Sequence, residues 1–333
     1  MKSPLIVGSP PHPAPPRSAP PGPKVGALTF DVEEWFHAHN LSIPRSRWSL
    51  YPSRLERQID DILATLDDHG TKATFFVLGQ VAARNPSIVR RLWAAGHEIA
   101  SHGYDHQSIT ELDRSSFHED VRHSQALLED LTGQRVRGYR APSYSLRPEL
   151  GWPVDVLEQL GFAYDSSIYP VRAPHRRYGS PGTSLRPYRL RSSLWEFPLP
   201  TVRVMGLRLP VATGAYLRIW PPRVTMHAIQ QNLRESIPVV VNVHPWELDV
   251  DQPRVQTSWW HRKLHYTNLH TTLPKLRRLL DTCRFKPLLE LLAECEGRST
   301  ESRKFREYPS RGLEARADSG SRGVPGRLCN AMQ

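Results

Sequence analysis

Short apolar or β-branched runs alternate along the chain with amphipathic stretches of helical period, and a glycine repeatedly stops the helix. Ala27–Asp31 reads as a strand, followed by a helix from about Ser53 to Asp68 that Gly70 closes. Strand Ala73–Leu78 leads to a helix through Leu92, closed by Gly96, and strand Glu98–Ser101 to a helix from about Ser115 to Leu131, closed by Gly133. Val136–Tyr139 precedes a helix Val154–Leu160, closed by Gly161, and strand Phe162–Tyr164 follows. Leu194–Phe197 and Val239–Val243 are further strands, and amphipathic helices run from about Leu269 to Cys283 and from Pro287 to Ala293. Repeated β-then-α order predicts an α/β fold with a mostly parallel sheet and helices outside it, as a barrel or an incomplete one.

The pattern also sets the expected boundaries. Residues 1–24, with runs such as Pro10-Pro11-His12-Pro13, cannot build a core and read as an extended or disordered arm. After Glu296 the chain is rich in Arg, Ser, Gly and Glu and loses apolar periodicity, so residues 297–333 read as a disordered basic tail. The expected folded body, 25–296, has the length of one α/β barrel.

Composition removes several function classes. Of the net charge of +11, three basic residues without an acid in 1–26 and eight basic against four acidic in 298–333 leave only +4 for the body. With no basic helix and no nucleic-acid motif in that body, the charge argues against nucleic-acid recognition. No run approaches the roughly 18 apolar residues of a membrane span, and Leu5–Val7 is too short for a signal-peptide core. A soluble cytoplasmic protein without a transmembrane segment is the default expectation. Cys283, Cys295 and Cys329 have neither the even count of a disulfide framework nor C-x-x-C spacing, and read as reduced thiols.

The chemistry gathers at the C-terminal ends of the strands, the rim that carries active sites in α/β barrels. Asp31 and Glu33 end the first strand, His102 the third, Arg140 the fourth, Asp165 the fifth and His244 the last. His102 and His106 stand four apart, so both imidazoles can meet one ion across a single turn; alone, the pair equally fits hydrogen-bonded structural histidines. In Asp31-Val32-Glu33-Glu34, strand alternation puts Asp31 and Glu33 on one face and Glu34 on the other. Two histidines and a carboxylate leave positions open on Zn²⁺ or a similar divalent ion, and the second carboxylate is then free to act as a base. His244 ends the Val239–Val243 run, where an imidazole with a reference pKa near 6.5 can protonate a departing amine. Arg140 can fix a carboxylate and Asp165 can orient an imidazole, although either also fits a structural ion pair.

Taken in order, these segments resemble the NodB-type polysaccharide deacetylases of carbohydrate esterase family 4 over about residues 26–293. Thr29-Phe-Asp-Val-Glu-Glu-Trp-Phe36 is similar to the first motif, His102–His106 to the second, Arg140-Ala-Pro-Ser143 to the third, Tyr164-Asp-Ser-Ser167 to the fourth and His244-Pro-Trp-Glu247 to the fifth. Asp-Val-Glu-Glu-Trp-Phe, His-Pro-Trp-Glu-Leu-Asp and His265-Tyr-Thr-Asn-Leu look like the branch associated with exosortase and exopolysaccharide gene clusters. The commonest family pattern has adjacent aspartates, base first and metal ligand second. Here Val32 takes the second place, so the Asp-x-Asp variant of some relatives is carried over, with Asp31 as base, Glu33 as ligand and Glu34 as the fallback ligand.

The resemblance implies a distorted (β/α)₇ barrel that removes N-acetyl groups from the sugars of a polysaccharide or oligosaccharide, with a divalent metal, Zn²⁺ by chemistry, on Glu33, His102 and His106. It implies that Asp31 deprotonates a water, that Arg140 holds Asp31, that the Ser143 N–H receives the oxyanion, and that His244, oriented by Asp165, protonates the amine. Tyr144, Trp246 and Trp35 have the ring chemistry to stack on sugars, and each equally fits core packing. Two other readings stay open: a metal-dependent amidohydrolase on a small nitrogenous substrate, and a catalytically silent carbohydrate-binding module.

Overall fold

The computed structural model describes residues 25–172 and 179–301. The expected proline-rich arm, residues 1–24, lies outside them, as does the expected basic tail beyond residue 301. In chain order, β1 (Val25–Val32) is followed by α1 (Leu55–Asp68), β2 (Thr74–Val77), α2 (Gly79–Arg84), α3 (Pro86–Ala94), β3 (Glu98–Ser101), α4 (Arg114–Thr132), β4 (Gly138–Tyr139), α5 (Trp152–Gln159) and β5 (Tyr164–Asp165). Then come β6 (Tyr188–Arg189), β7 (Trp195–Glu196), the hairpin β8 (Thr201–Val204) and β9 (Leu207–Pro210), α6 (Ala215–Ile219), α7 (Pro222–Arg234) and β10 (Val240–Val243). The chain continues through α8 (Trp259–Tyr266), α9 (Thr272–Thr282), β11 (Arg284–Lys286) and α10 (Leu288–Glu301).

The sheet runs in the order β10-β1-β2-β3-β4-β5-β7-β6. The seven strands from β10 to β7 are parallel, and β6 pairs antiparallel with β7 at the edge. The expected distorted (β/α)₇ arrangement is therefore present as a curled half-barrel, open between β10 and β6. No helix among the described residues is long and apolar enough to cross a membrane.

Strand alternation explains where the core ends and the site begins. On β1, Leu28, Phe30 and Val32 face outward and join Ile59, Ile62, Phe75 and Val89 beneath the helices. Phe30 stacks on Phe75 with ring centroids 4.8 Å apart. The inward positions Ala27, Thr29 and Asp31, continued by Glu33, pass from apolar to charged along the strand axis. The lower interior is filled by Ala27, Phe76, Ala100, Tyr164, Trp195 and Val240, plugged by Leu288, Leu291 and Leu292 of α10. Glu98 caps that plug, accepting from Thr74 Oγ1 at 2.6 Å, Tyr164 Oη at 2.7 Å and the Leu289 N–H at 3.1 Å. Helix N-terminal N–H groups lack intrahelical partners, so a buried carboxylate there satisfies both sides.

The structure departs from the sequence pattern in several places. The single helix expected after β2 is split into α2 and α3, because Pro86 lacks the N–H that would continue the ladder. The helix expected from Leu269 begins as a 3₁₀ turn, Leu269–Thr271, ahead of α9, and the last helix runs to Glu301 rather than Ala293. Residues 200–235, without an assigned element in the pattern, form β8–β9, α6 and α7. The hairpin turn has left-handed backbone at Met205 (φ 48°) and Gly206 (φ 83°), as a two-residue hairpin loop requires.

Gly26 on β1 marks how closely the neighbouring strands approach: a Cβ there would lie 2.6 Å from the Val239 carbonyl oxygen and 3.2 Å from the Phe285 ring. Because the obstacle is backbone, Gly26→Ala should destabilise the fold by about 1–3 kcal/mol. A drop in thermal midpoint checks this; an unchanged midpoint would show that β1 and β10 can separate freely.

Candidate active site

Asp31 and Glu33 project from the inner end of β1, and β10 returns beside them in the register Thr29↔Asn242. Asp31 Oδ1 accepts from Arg140 Nη1 at 2.8 Å and Oδ2 from Asn242 Nδ2 at 2.8 Å. Arg140, fully buried, also places Nη1 2.8 Å from Thr29 Oγ1 and 2.7 Å from Asn242 Oδ1, and donates through Nε and Nη2 to the Ser166 carbonyl and hydroxyl. Its guanidinium lies 4.1 Å from the Phe76 ring centroid. Burial pushes the Asp31 carboxyl up, but the charges of Arg140, His102 and His244 outweigh it and leave the group below its ordinary range.

Glu33, His102 and His106 form a buried cluster whose candidate ligand atoms all lie within 4.8 Å of one another. Glu33 Oε2 stands 2.5 Å from His106 Nε2 and 3.9 Å from His102 Nε2, while Oε1 accepts from Trp246 Nε1 at 3.0 Å. His102 Nδ1 pairs with the Arg140 carbonyl at 2.9 Å, which puts the ring proton on Nδ1 and leaves the Nε2 lone pair for an ion. Burial would raise the Glu33 carboxyl, yet His106, His244 and His102 hold it well below the usual range. Burial lowers His102 to about 4 despite Asp31 nearby. A carboxylate and two imidazoles are the donor set a divalent ion takes, so the residues fit one.

The four-residue histidine spacing works through a loop rather than a helix. Asp120 on α4 accepts from the Tyr104 and Asp105 N–H groups at 2.8 and 3.0 Å, Gly103 turns with φ +72°, and His106 itself is left-handed at φ 53°. Left-handed backbone at a non-glycine residue is strained, and here it aims the second imidazole at Glu33.

Glu34 leaves this cluster, as alternation requires. It accepts the Arg54 N–H through Oε2 at 3.2 Å, and burial pushes its carboxyl up. Glu34, the expected fallback ligand, stands outside the Glu33–His102–His106 cluster.

His244 sits with Nε2 3.6 Å from Asp31 Oδ2 and 3.8 Å from Glu33 Oε1. The carboxylate that orients it is Glu247, whose Oε2 accepts from His244 Nδ1 at 3.1 Å and from its backbone N–H at 3.0 Å. Glu247 is held in turn by buried Arg218, Nε to Oε1 at 2.7 Å. Burial would lower His244, but Glu247, Glu33 and Asp31 raise it to about 9. Burial would raise Glu247, but Arg218 and His244 bring it down to about 2.

Asp165, expected to orient His244, is corrected by the same alternation. Tyr164 faces the interior, so Asp165 faces outward, opposite Glu196 in the β5–β7 register. There it accepts from the Ser167 hydroxyl at 2.6 Å, and that hydroxyl receives the Ala141 N–H at 2.7 Å. Burial and the close Asp165 carboxyl push Glu196 well above its ordinary value, and burial pushes Asp165 up as well, so the pair keeps a proton.

Of the expected sugar-stacking rings, Trp246 is buried and packed against the His244 and His265 imidazoles, with centroids 5.2 and 4.3 Å away. Trp35 is buried against Phe36 and Tyr51. Neither offers a face to a substrate. Tyr144 does lie in the site, its Oη accepting from Asn242 Nδ2 at 2.7 Å, and Ser143 and Tyr144 both have left-handed backbone, φ 55° and 54°. Sequence reasoning missed Asn242, Glu247 and Arg218. A polar residue inside a valine run was a usable signal for Asn242, and a glutamate three residues after a histidine for Glu247; for Arg218 there was none.

Residues 18–164 match the polysaccharide deacetylase family model, and residues 166–293 match a domain of unknown function, DUF3473. The first span contains Asp31, Glu33, His102, His106 and Arg140, and the second contains Asn242, His244 and Glu247. A peptidoglycan deacetylase-like protein of Gibberella zeae is 31% identical over 205 residues, covering 60% of this chain and 55% of that protein. The peptidoglycan-N-acetylglucosamine deacetylase PgdA of Listeria monocytogenes is 26% identical over 144 residues, 39% of this chain and 31% of that one. A chitooligosaccharide deacetylase of Bradyrhizobium is 34% identical over 98 residues, 29% of this chain and 42% of that one. The chain thus spans from about a third to just over half the length of these curated relatives. The fold matches a crystal structure assigned as a polysaccharide deacetylase from Mycobacterium smegmatis with a TM-score of 0.55 and 21% identity, over 86% of this chain and 95% of that one.

Two outcomes follow from the geometry. His102→Ala and Glu33→Gln should each bind a divalent ion at least tenfold more weakly, read by metal analysis after dialysis; unchanged content in either would remove it from the ligand set. In the ion-free protein, the stability from charged His244 is full below its unfolded value near 6.5 and is lost as the pH rises through about 9. The stability advantage of wild type over Glu247→Gln should therefore narrow between those pH values, and a gap independent of pH would exclude the His244–Glu247 pair as its source.

Proposed function

From the match of residues 18–164 to the polysaccharide deacetylase family model, we propose that the protein is a metal-dependent hydrolase removing N-acetyl groups from N-acetylated sugars of a polysaccharide. The observation that carries the reading is a single carboxylate, Glu33, lying within 4 Å of three imidazoles, His102, His106 and His244, while Asp31 flanks His244. Glu33, His102 and His106 are the residues that would hold the ion, with Zn²⁺ the choice favoured by two imidazoles and one carboxylate. Such an ion supplies Lewis acidity toward the acetamide carbonyl and lowers the pKa of a water.

The remaining chemistry belongs to the chain's own side chains. Asp31, kept ionised by Arg140 and oriented by Asn242, takes a proton from the attacking water as the new C–O bond forms. His244, kept protonated by Glu247, gives its proton to the sugar nitrogen as the C–N bond breaks and acetate departs. The Ser143 N–H is assigned, by family resemblance, to the developing oxyanion, and the left-handed turn at Ser143 and Tyr144 supports that placement beside Asn242. Glu247 takes the positioning role first given to Asp165.

The finer substrate, an exopolysaccharide, rests on the Asp31-Val-Glu-Glu-Trp-Phe36 and His244-Pro-Trp-Glu-Leu-Asp249 segments. The decisive test is acetate release from a panel of N-acetylated glycans by the metal-loaded protein, with chelation expected to abolish it. Ammonia release from cyclic ureides instead would install the amidohydrolase reading. Asp31→Asn should lower turnover by about 10²–10⁴-fold with metal retained, and survival of turnover would exclude Asp31 as the base.

A further inference from the structure

Glu34, turned away from the ion-binding cluster, lines a separate cavity of about 330 Å³. Glu34 and His37 are each only 4% exposed, and each presents a polar atom with no hydrogen-bond partner among the described residues: Glu34 Oε1 and His37 Nε2. The His37 tautomer is fixed, because Nδ1 accepts the Glu34 backbone N–H at 3.1 Å, so the ring proton is on Nε2. The cavity lining therefore holds one unmet donor and one unmet acceptor. Gln80 Oε1, on the same wall, is a second unmet acceptor, its amide nitrogen being committed to Asp105 at 2.6 Å. Buried polar groups in folded proteins are almost always paired, so a cluster of three marks a place built for something else to complete.

The chemistry of the floor selects the ligand. A metal ion is excluded because His37 Nε2 carries a proton instead of a free lone pair. A carboxylate is disfavoured by the Glu34 carboxyl at the base. What satisfies both atoms is a neutral group that accepts from His37 and donates to Glu34, which is what adjacent hydroxyls do. Phe36 and Tyr51, stacked with centroids 5.5 Å apart, add an apolar wall suited to the C–H face of a sugar ring, and the volume is at the lower end of small-molecule sites. The mouth is formed by the exposed residues Ser49, Ser53 and Arg84.

We propose that this cavity binds a single neutral pyranose residue, with His37 Nε2 and Glu34 Oε1 reading two of its hydroxyls. The choice of a sugar among neutral polyols rests on the reading of the protein as one that acts on glycans. The site is next to the reaction centre, since the His37 and His106 rings are 6.0 Å apart, yet it shares no side chain with the ion-binding cluster.

The test uses the full chain carrying Asp31→Asn with ¹⁵N-labelled histidine, titrated with glucose, N-acetylglucosamine and acetate. The His37 Nε2–H resonance should shift saturably with the two sugars. Ser49→Trp, which fills the exposed mouth without touching the floor, should weaken that response at least tenfold, and Glu34→Leu should do the same. No response, a response to acetate alone, or one unaffected by Ser49→Trp overturns the proposal; Ser49→Trp decides it even if Glu34→Leu fails to fold. Acetate release from a glycan by the wild type, without a His37 response, sinks this site and leaves the deacetylase reading intact. A His37 response in a protein that releases no acetate does the reverse.

Discussion

A guanidinium with no exposure to water has to be hydrogen-bonded on every side, and the arrangement around Arg140 follows from that demand. Its three guanidinium nitrogens reach Asp31 and Thr29 on β1, Asn242 on β10 and Ser166 just beyond β5. One side chain thus ties β1 to β10 beside it and to the far side of the half-barrel. An unpaired buried charge costs several kcal/mol, so loss of any one partner weakens the positioning of the rest.

That constraint decides the division of labour between the two acidic residues on β1. Asp31 is held on both oxygens by neutral and cationic donors, which keeps it ionised and fixed in place. Glu33, two residues further along the same face, meets histidines and the Trp246 indole, which suits a ligand. His244 approaches both, and its charge comes from Glu247 behind it, itself neutralised by buried Arg218. Charges alternate through this stack from Arg218 to Glu247 to His244 to Asp31, so each buried group faces one of opposite sign.

Outside the site, alternation produces a second buried acidic arrangement with a different purpose. Asp165 and Glu196 face each other on the outer side of β5 and β7, share a proton, and hold the Ser167–Ala141 and Ile168 backbone contacts. These bonds fix the segments from which Arg140 and Ser166 enter the interior, so Asp165 supports the site without touching His244.

The sequence by itself determined which residues stand at the strand ends and which face of β1 they share, because period-two geometry depends only on local backbone. It also separated Asp31 and Glu33 from Glu34, which lines another cavity. Asp165 does not reach His244, because on β5 an inward Tyr164 forces an outward Asp165. Only the tertiary structure decided that Thr29 stands opposite Asn242, that Glu247 rather than Asp165 holds His244, and that Trp246 is covered by imidazoles. The first depends on register between residues 213 positions apart, and the others on which way loop side chains turn once the strands are paired, neither of which local pattern encodes.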